Sequence, residues 1–101
     1  MSEVEETLER IKAQKGVEGF VICQLDGTVL RRHEVTQETA ERYAERVIKL
    51  AQNARNYVRD INPRDKLRNL RVRANEKELL VAYEQDFIIL VIQKWEPALG
   101  V

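Results

Sequence analysis

The chain has 101 residues, 44% of them hydrophobic, which is enough for one core and leaves no room for a second domain. Its 17 basic and 17 acidic residues cancel, so no overall field draws it to nucleic acid or an anionic membrane surface, and the charges serve solubility. The single cysteine, Cys23, excludes an internal disulfide and a cluster of thiolate ligands; it fits a reducing compartment and reads as a buried strand residue.

The opening MSEVEETLER is acidic and amphipathic and lacks the basic and then apolar stretch of a secretory signal. The longest apolar run, residues 87–92, is far short of the roughly 20 residues that a membrane helix needs. A soluble, cytosolic protein is expected. Ser2 followed by Glu5 forms a capping box, and a first helix follows over residues 3–15, with Val4, Leu8 and Ile11 in one narrow stripe. Gly16 ends it in the left-handed conformation, and Val17 folds back onto Ile11. GFVICQL (residues 19–25) and TVLRRH (residues 28–33) are strand-like runs joined by Asp26-Gly27, a dipeptide suited to a tight hairpin turn.

Thr36 caps a long second helix over residues 37–59, with Pro63 just beyond, where a helix could not continue. At 1.5 Å per residue that helix is roughly 34 Å long. Three strands follow, over residues 67–74, 79–83 and 87–94, and the short links between them imply antiparallel neighbours. FIILVI has no polar residue on either face and belongs in the middle of the sheet. The strand from Leu67 alternates instead: Leu70, Val72 and Ala74 point one way, and Asn69, Arg71 and Arg73 the other, which suits an outer strand. The expected fold is a single α/β sandwich over residues 1–101, ordered α-β-β-α-β-β-β, with a five-stranded antiparallel sheet between a short N-terminal helix and a long central one. WEPALGV, residues 95–101, reads as a loosely held tail.

On a helical wheel, Ala44, Val47, Ala51, Ala54 and Val58 fall within about 40° of Ala40 and face the sheet. Tyr43, Leu50 and Tyr57 form a second stripe about 60° to 100° to one side. Either these tyrosines rim the core with their hydroxyls in water, or the flank meets the same flank of a second copy in an isologous contact. In the second case Tyr43, Val47, Leu50, Ala54 and Tyr57 supply the helix contact. Leu70, Val72 and Ala74 then support an outer strand that pairs with its twin, giving a continuous ten-stranded sheet.

Nothing in the sequence marks catalysis, a cofactor or a metal. His33 is the only histidine and has no thiolate or second imidazole beside it. Asp26-Gly27 lacks the further glycines of a phosphate loop. Glu5-Glu6 and Glu76/Glu78 read as water-exposed carboxylates. The arginines come without a glycine-aromatic nucleic-acid motif, and an acidic protein partner explains them more economically.

Three blocks, VEETLERIKAQKGVEG, VRDINPRDKLRNLRVR and ELLVAYEQDFIILVIQ, closely resemble the roadblock-type light chains of dynein. The likeness runs from about Glu3 to Gln93, is weakest in the second helix and stops at the tail. It implies a homodimer, or a heterodimer with a sister light chain, built on the long helices and an outer strand. It also implies a non-catalytic subunit that binds the dynein intermediate chains at the base of the motor and, through them, the heavy chain and microtubules. The implied location is the cytoplasm and cytoskeleton, with the axoneme of a cilium or flagellum as one setting. A roadblock-type scaffold or regulator of a small GTPase is the alternative.

The first helix is too short to cover its face of the sheet. The expected partner surface is therefore a groove on that face, with Leu8 and Ile11 on its helical wall and Arg71 and Arg73 on its floor, suited to an amphipathic helix with acidic edges.

Overall fold

The computed structural model describes residues 2–94, with side chains from residue 5 onward. The chain forms α1 (Ser2–Ala13), β1 (Val17–Gln24), β2 (Val29–His33), α2 (Gln37–Ile61), β3 (Asn69–Arg73), β4 (Lys77–Tyr83) and β5 (Phe87–Lys94). One antiparallel sheet runs β2-β1-β5-β4-β3, with the helices on opposite faces. The apolar strand β5 is central and the alternating strand β3 lies at an edge, as their patterns require. The Ser2 cap, the Val4 side chain and the tail over residues 95–101 lie outside what is described.

Local chemistry sets the joints. Gly16 takes a φ of +92°, which an L side chain rarely adopts, and the Lys94 N–H donates to the Gly16 carbonyl at 2.8 Å. The end of α1 is thereby tied to the end of β5, and Val17 already belongs to β1, two residues earlier than the sequence suggests. In the hairpin the Gly27 N–H closes a turn onto the Gln24 carbonyl at 3.0 Å, with Gly27 at φ +100°. The Asp26 carboxylate accepts from the Thr28 N–H at 2.9 Å. The β1–β2 register shifts between Ile22 and Cys23, so the hairpin carries an irregularity that bends its edge.

The Thr36 hydroxyl accepts from the Thr39 N–H at 3.1 Å and caps α2. The helix runs two residues past expectation, to Ile61, where the Asn62 N–H bonds the Val58 carbonyl. Pro63 then blocks continuation. Ala40, Ala44, Val47 and Ala51 are buried against Val21, Cys23, Val81, Ile88 and Leu90, and their small side chains let the helix lie close to the strands. Ile48, off the expected stripe, is buried too: it reaches beneath the hairpin, where a Cβ on Gly27 would be 3.7 Å from its Cδ1. On the other face α1 seals a smaller cluster of Phe20, Ile22 and Val91 with Leu8, a burial worth about 2 kcal/mol for one leucine.

Candidate protein-binding surfaces

The flank of α2 that faces the β4–β3 side is apolar and partly open. Tyr43 is half-buried against the core, whereas Leu50 is 42% exposed, Tyr57 65% and Ile61 87%. The two extra residues of α2 extend the flank, since Ile61 lies one turn beyond Tyr57. Tyr43, Val47 and Leu50 also line a cleft of about 390 Å³ with Leu79, Thr39, Arg42 and Arg46. Arg55 lies over the ring of Tyr83, 5.4 Å from its centroid, and anchors the helix to β4 further along. Beside this flank, Leu70 and Val72 on β3 pair across the ladder with Val81 and Leu79 and are half-buried. Beyond β3 no strand of the described residues follows.

The opposite face is built from cross-strand rows. Phe20, Val91, Leu80 and Arg71 stand side by side on β1, β5, β4 and β3, and Ile22, Ile89, Ala82 and Asn69 form the adjacent row. Through Leu8, α1 covers the Phe20, Ile22 and Val91 end, and Glu5 bridges to Arg31 on β2 at 2.6 Å. Leu80 and Ile89 only border this cluster, and with Ala82 they stay half-buried, with Arg71 exposed beyond them. The surface is an apolar strip between α1 and an arginine-bearing edge.

The third row is polar and converges on one buried carboxylate. Glu78 is 5% exposed and accepts from Arg71 at 3.1 Å, Arg73 at 3.5 Å and the Gln93 side-chain amide at 3.0 Å. Burial opposes ionisation, but the hydrogen bonds from Gln93 and Arg71 and the charges of both arginines outweigh it and hold the Glu78 pKa below the usual carboxylate range. From its place beside a turn in the sequence, Glu78 is expected in water. The structure corrects this, because β4 begins at Lys77 and the pairing puts Glu78 between Arg73 and Gln93. The alternation from Glu78 through Leu80 to Ala82 carried that signal, one step before the strand start the sequence suggested.

Other site residues also sit differently from expectation. Leu8, expected on a partner-facing wall, is 3% exposed and belongs to the core, while Ile11 is half-buried beside it. Val47, expected in a helix contact, is 4% exposed and packs on the sheet. Ala54 is half-buried. Ala74 falls outside β3 and is exposed, its N–H bonding the Lys77 carbonyl in the turn. His33 is a half-buried strand residue stacked on Phe20, their ring centroids 5.3 Å apart.

Cys23 is 1% exposed, and burial, with the charge of Asp26 second, pushes its thiol up to about 11. The Asp26 carboxyl is held below its ordinary range by its hydrogen bonds with Thr28. Among the described residues no group of three or more His, Cys, Asp or Glu could hold a metal ion, and no helix is long and apolar enough to cross a membrane.

Residues 3–94 match the family model of the Roadblock/LC7 domain. A Roadblock/LC7 domain from Streptomyces avermitilis superposes with a TM-score of 0.79 at 16% identity, over 86% of this chain and 73% of that one. The gliding protein MglB of Thermus thermophilus gives 0.74 at 14% identity, over 92% and 72%. MglB of Myxococcus xanthus gives 0.73 at 10%, over 93% and 77%. At these identities the likeness is one of fold.

Proposed function

The chain belongs to the Roadblock/LC7 domain family, and on that premise we propose that it is a dynein light chain: a dimeric adaptor that binds the intermediate chains and helps assemble the attachment base of the motor. The family is generally non-catalytic. Two copies would meet through the α2 flank at Tyr43, Leu50, Ala54 and Tyr57, with Ile61 added, and through β3, joining two sheets into one of ten strands. One two-fold operation would cover the exposed helix flank and pair the open edge.

The observation that carries the adaptor reading is the strip of Leu80, Ala82 and Ile89 that α1 leaves uncovered beside Arg71. Such a strip would suit the apolar face of one amphipathic helix, with a cation at its edge. The dynein assignment is supported by the three sequence blocks quoted above. The domain also occurs in the GTPase regulators MglB and MglC, and the fold likeness to MglB supports a second reading, a scaffold or regulator of a small GTPase.

Purification of the tagged protein from its source, with its companions identified by mass, separates the two. Dynein intermediate chains are the expected companions, in the cytoplasm and cytoskeleton. A small GTPase in their place would reject the dynein reading in favour of the second.

A further inference from the structure

The apolar flank of α2 is divided along its length. Its N-terminal half is hollow: Tyr43, Val47 and Leu50 enclose the 390 Å³ cleft with Leu79 of β4, and Arg42 and Arg46 supply its cations. Its C-terminal half projects instead, since exposure climbs from 42% at Leu50 to 65% at Tyr57 and 87% at Ile61. One copy cannot bring its projecting end to its hollow end, because the rise of the helix keeps Tyr43 and Tyr57 about 21 Å apart.

Charge is divided in the same way. Asp60 lies in the last turn of α2, beside Ile61, where the free carbonyls of the helix disfavour a carboxylate. Among the described residues neither Asp60 nor Arg46 has an ion pair. Arg42 meets only its neighbour Glu38, at 3.7 Å and with both side chains largely in solvent, a pair that holds it weakly. At 100° per residue, Arg46 lies about 40° from Leu50 around the helix, and Arg42 and Asp60 about 80°, all turned away from the sheet. The three charges therefore rim one side of the flank, cations beside the cleft and the carboxylate beside the projecting end.

Pairing β3 with its twin while keeping both α2 helices on one face needs a two-fold axis normal to the sheet. Such an axis reverses the direction of α2 and leaves its solvent side where it was, so the helices lie antiparallel with their charged rims adjoining. With the axis at Leu50, the middle of the Tyr43, Leu50 and Tyr57 stripe, Tyr57 of each copy stands across from Tyr43 of the other. Asp60 then lies within about 3 Å, along the helix, of Arg42 on the other copy.

We propose that this contact is the lock of the dimer: Tyr57 and Ile61 of one copy fill the cleft of the other, and Asp60 closes over them onto Arg42 and Arg46, once at each end of the two-fold interface. The inference rests on the dimer reading and names what completes the cleft. The aromatic ring supplies buried area, and the charges fix orientation. A parallel pair of helices would set Arg46 against Arg46 and Asp60 against Asp60, and would leave the cleft facing a second cleft.

The test is charge reversal in the full chain, read by sedimentation, with circular dichroism to follow folding. Asp60→Arg alone, and Arg42→Glu with Arg46→Glu, each put like charges at both ends of the interface and should raise the dimer dissociation constant about tenfold or more. Mixed together, the two variants face each other with opposite charges at both ends and should form a heterodimer close to wild-type affinity. Asp60→Asn, a milder change, should weaken association a few-fold and flatten its salt dependence. Reversed variants that dimerise like the wild type, a mixture that stays dissociated, or an unchanged salt dependence in Asp60→Asn would overturn the lock and leave the cleft to another occupant. A wild-type protein that is itself monomeric removes the dimer reading, whereas a wild-type dimer indifferent to these reversals removes the lock alone.

Discussion

A Cβ placed on Gly19 would lie 2.5 Å from the backbone carbonyl oxygen of His33, where the β1–β2 ladder ends at the Phe20 and His33 pair. The next residue, Glu34, turns the chain with a φ of +58°, a conformation uncommon for a residue with a side chain. Because the obstructing atom belongs to the backbone, it cannot swing aside. Gly19→Ala is therefore expected to cost about 1–3 kcal/mol, as overpacking does, and to lower the melting temperature by several degrees. A variant that melts with the wild type would show that the ladder end yields freely.

The low pKa of Glu78 links stability to acid. Its folded-state pKa lies below the ordinary 4.5, so the unfolded chain takes up the proton first as pH falls. The stabilisation from the ionised carboxylate is complete above the unfolded value and is lost as pH drops through the folded one. Urea titrations of the wild type and Glu78→Gln should show the wild type losing its pH-dependent advantage between neutral pH and the acid side of pH 4.5. A stability difference that stayed constant across that window would show that Glu78 titrates alike in both states.

Cys23 predicts the opposite limb. Its pKa rises from 9.0 to about 11 on folding, so the unfolded chain loses the proton first as pH rises. The stability lost through this group therefore begins near pH 9 and is complete near pH 11, amounting to on the order of 2 kcal/mol. Cys23→Val should show a shallower alkaline decline in denaturant midpoint. A thiol reagent at pH 8 should modify the native protein only as fast as it opens, and rapid labelling would contradict the buried thiol.

The dimer is expected in sedimentation at micromolar concentration. Leu50→Asp would set a carboxylate on the helix flank of each copy, and burying it without a partner should cost several kcal/mol and yield a monomer. Tyr57→Ala, at the more exposed end of the flank, should weaken association less. A native protein that sediments as a monomer at micromolar concentration would remove the self-pairing proposal.

Much of this fold was legible in local pattern. The hairpin glycine, the Thr36 cap and the two apolar periodicities name their elements because each is a short-range constraint: a φ angle, a free N–H, a repeat of two or 3.6 residues. The apolar FIILVI run and the alternation of the Leu70 strand were enough to place one centrally and the other at an edge. Boundaries were less legible. β4 starts at Lys77 because its pairing with β3 and β5 extends to the turn, and that extension turned an apparent surface carboxylate into the buried centre of a charged cluster.

By itself the sequence determined the order of elements, the face each residue takes within its own helix or strand, and the surplus of apolar surface on α2, since these follow from spacing along one chain. Only the tertiary structure decided which of those residues remain available. Leu8 and Val47 have the same chemistry as Ile11 and Leu50, yet are sealed because α1 lies over β1 and α2 lies over the centre of the sheet. Arg71, Arg73, Glu78 and Gln93 come from three strands, and their meeting depends on register between strands, a long-range property that composition and periodicity do not encode.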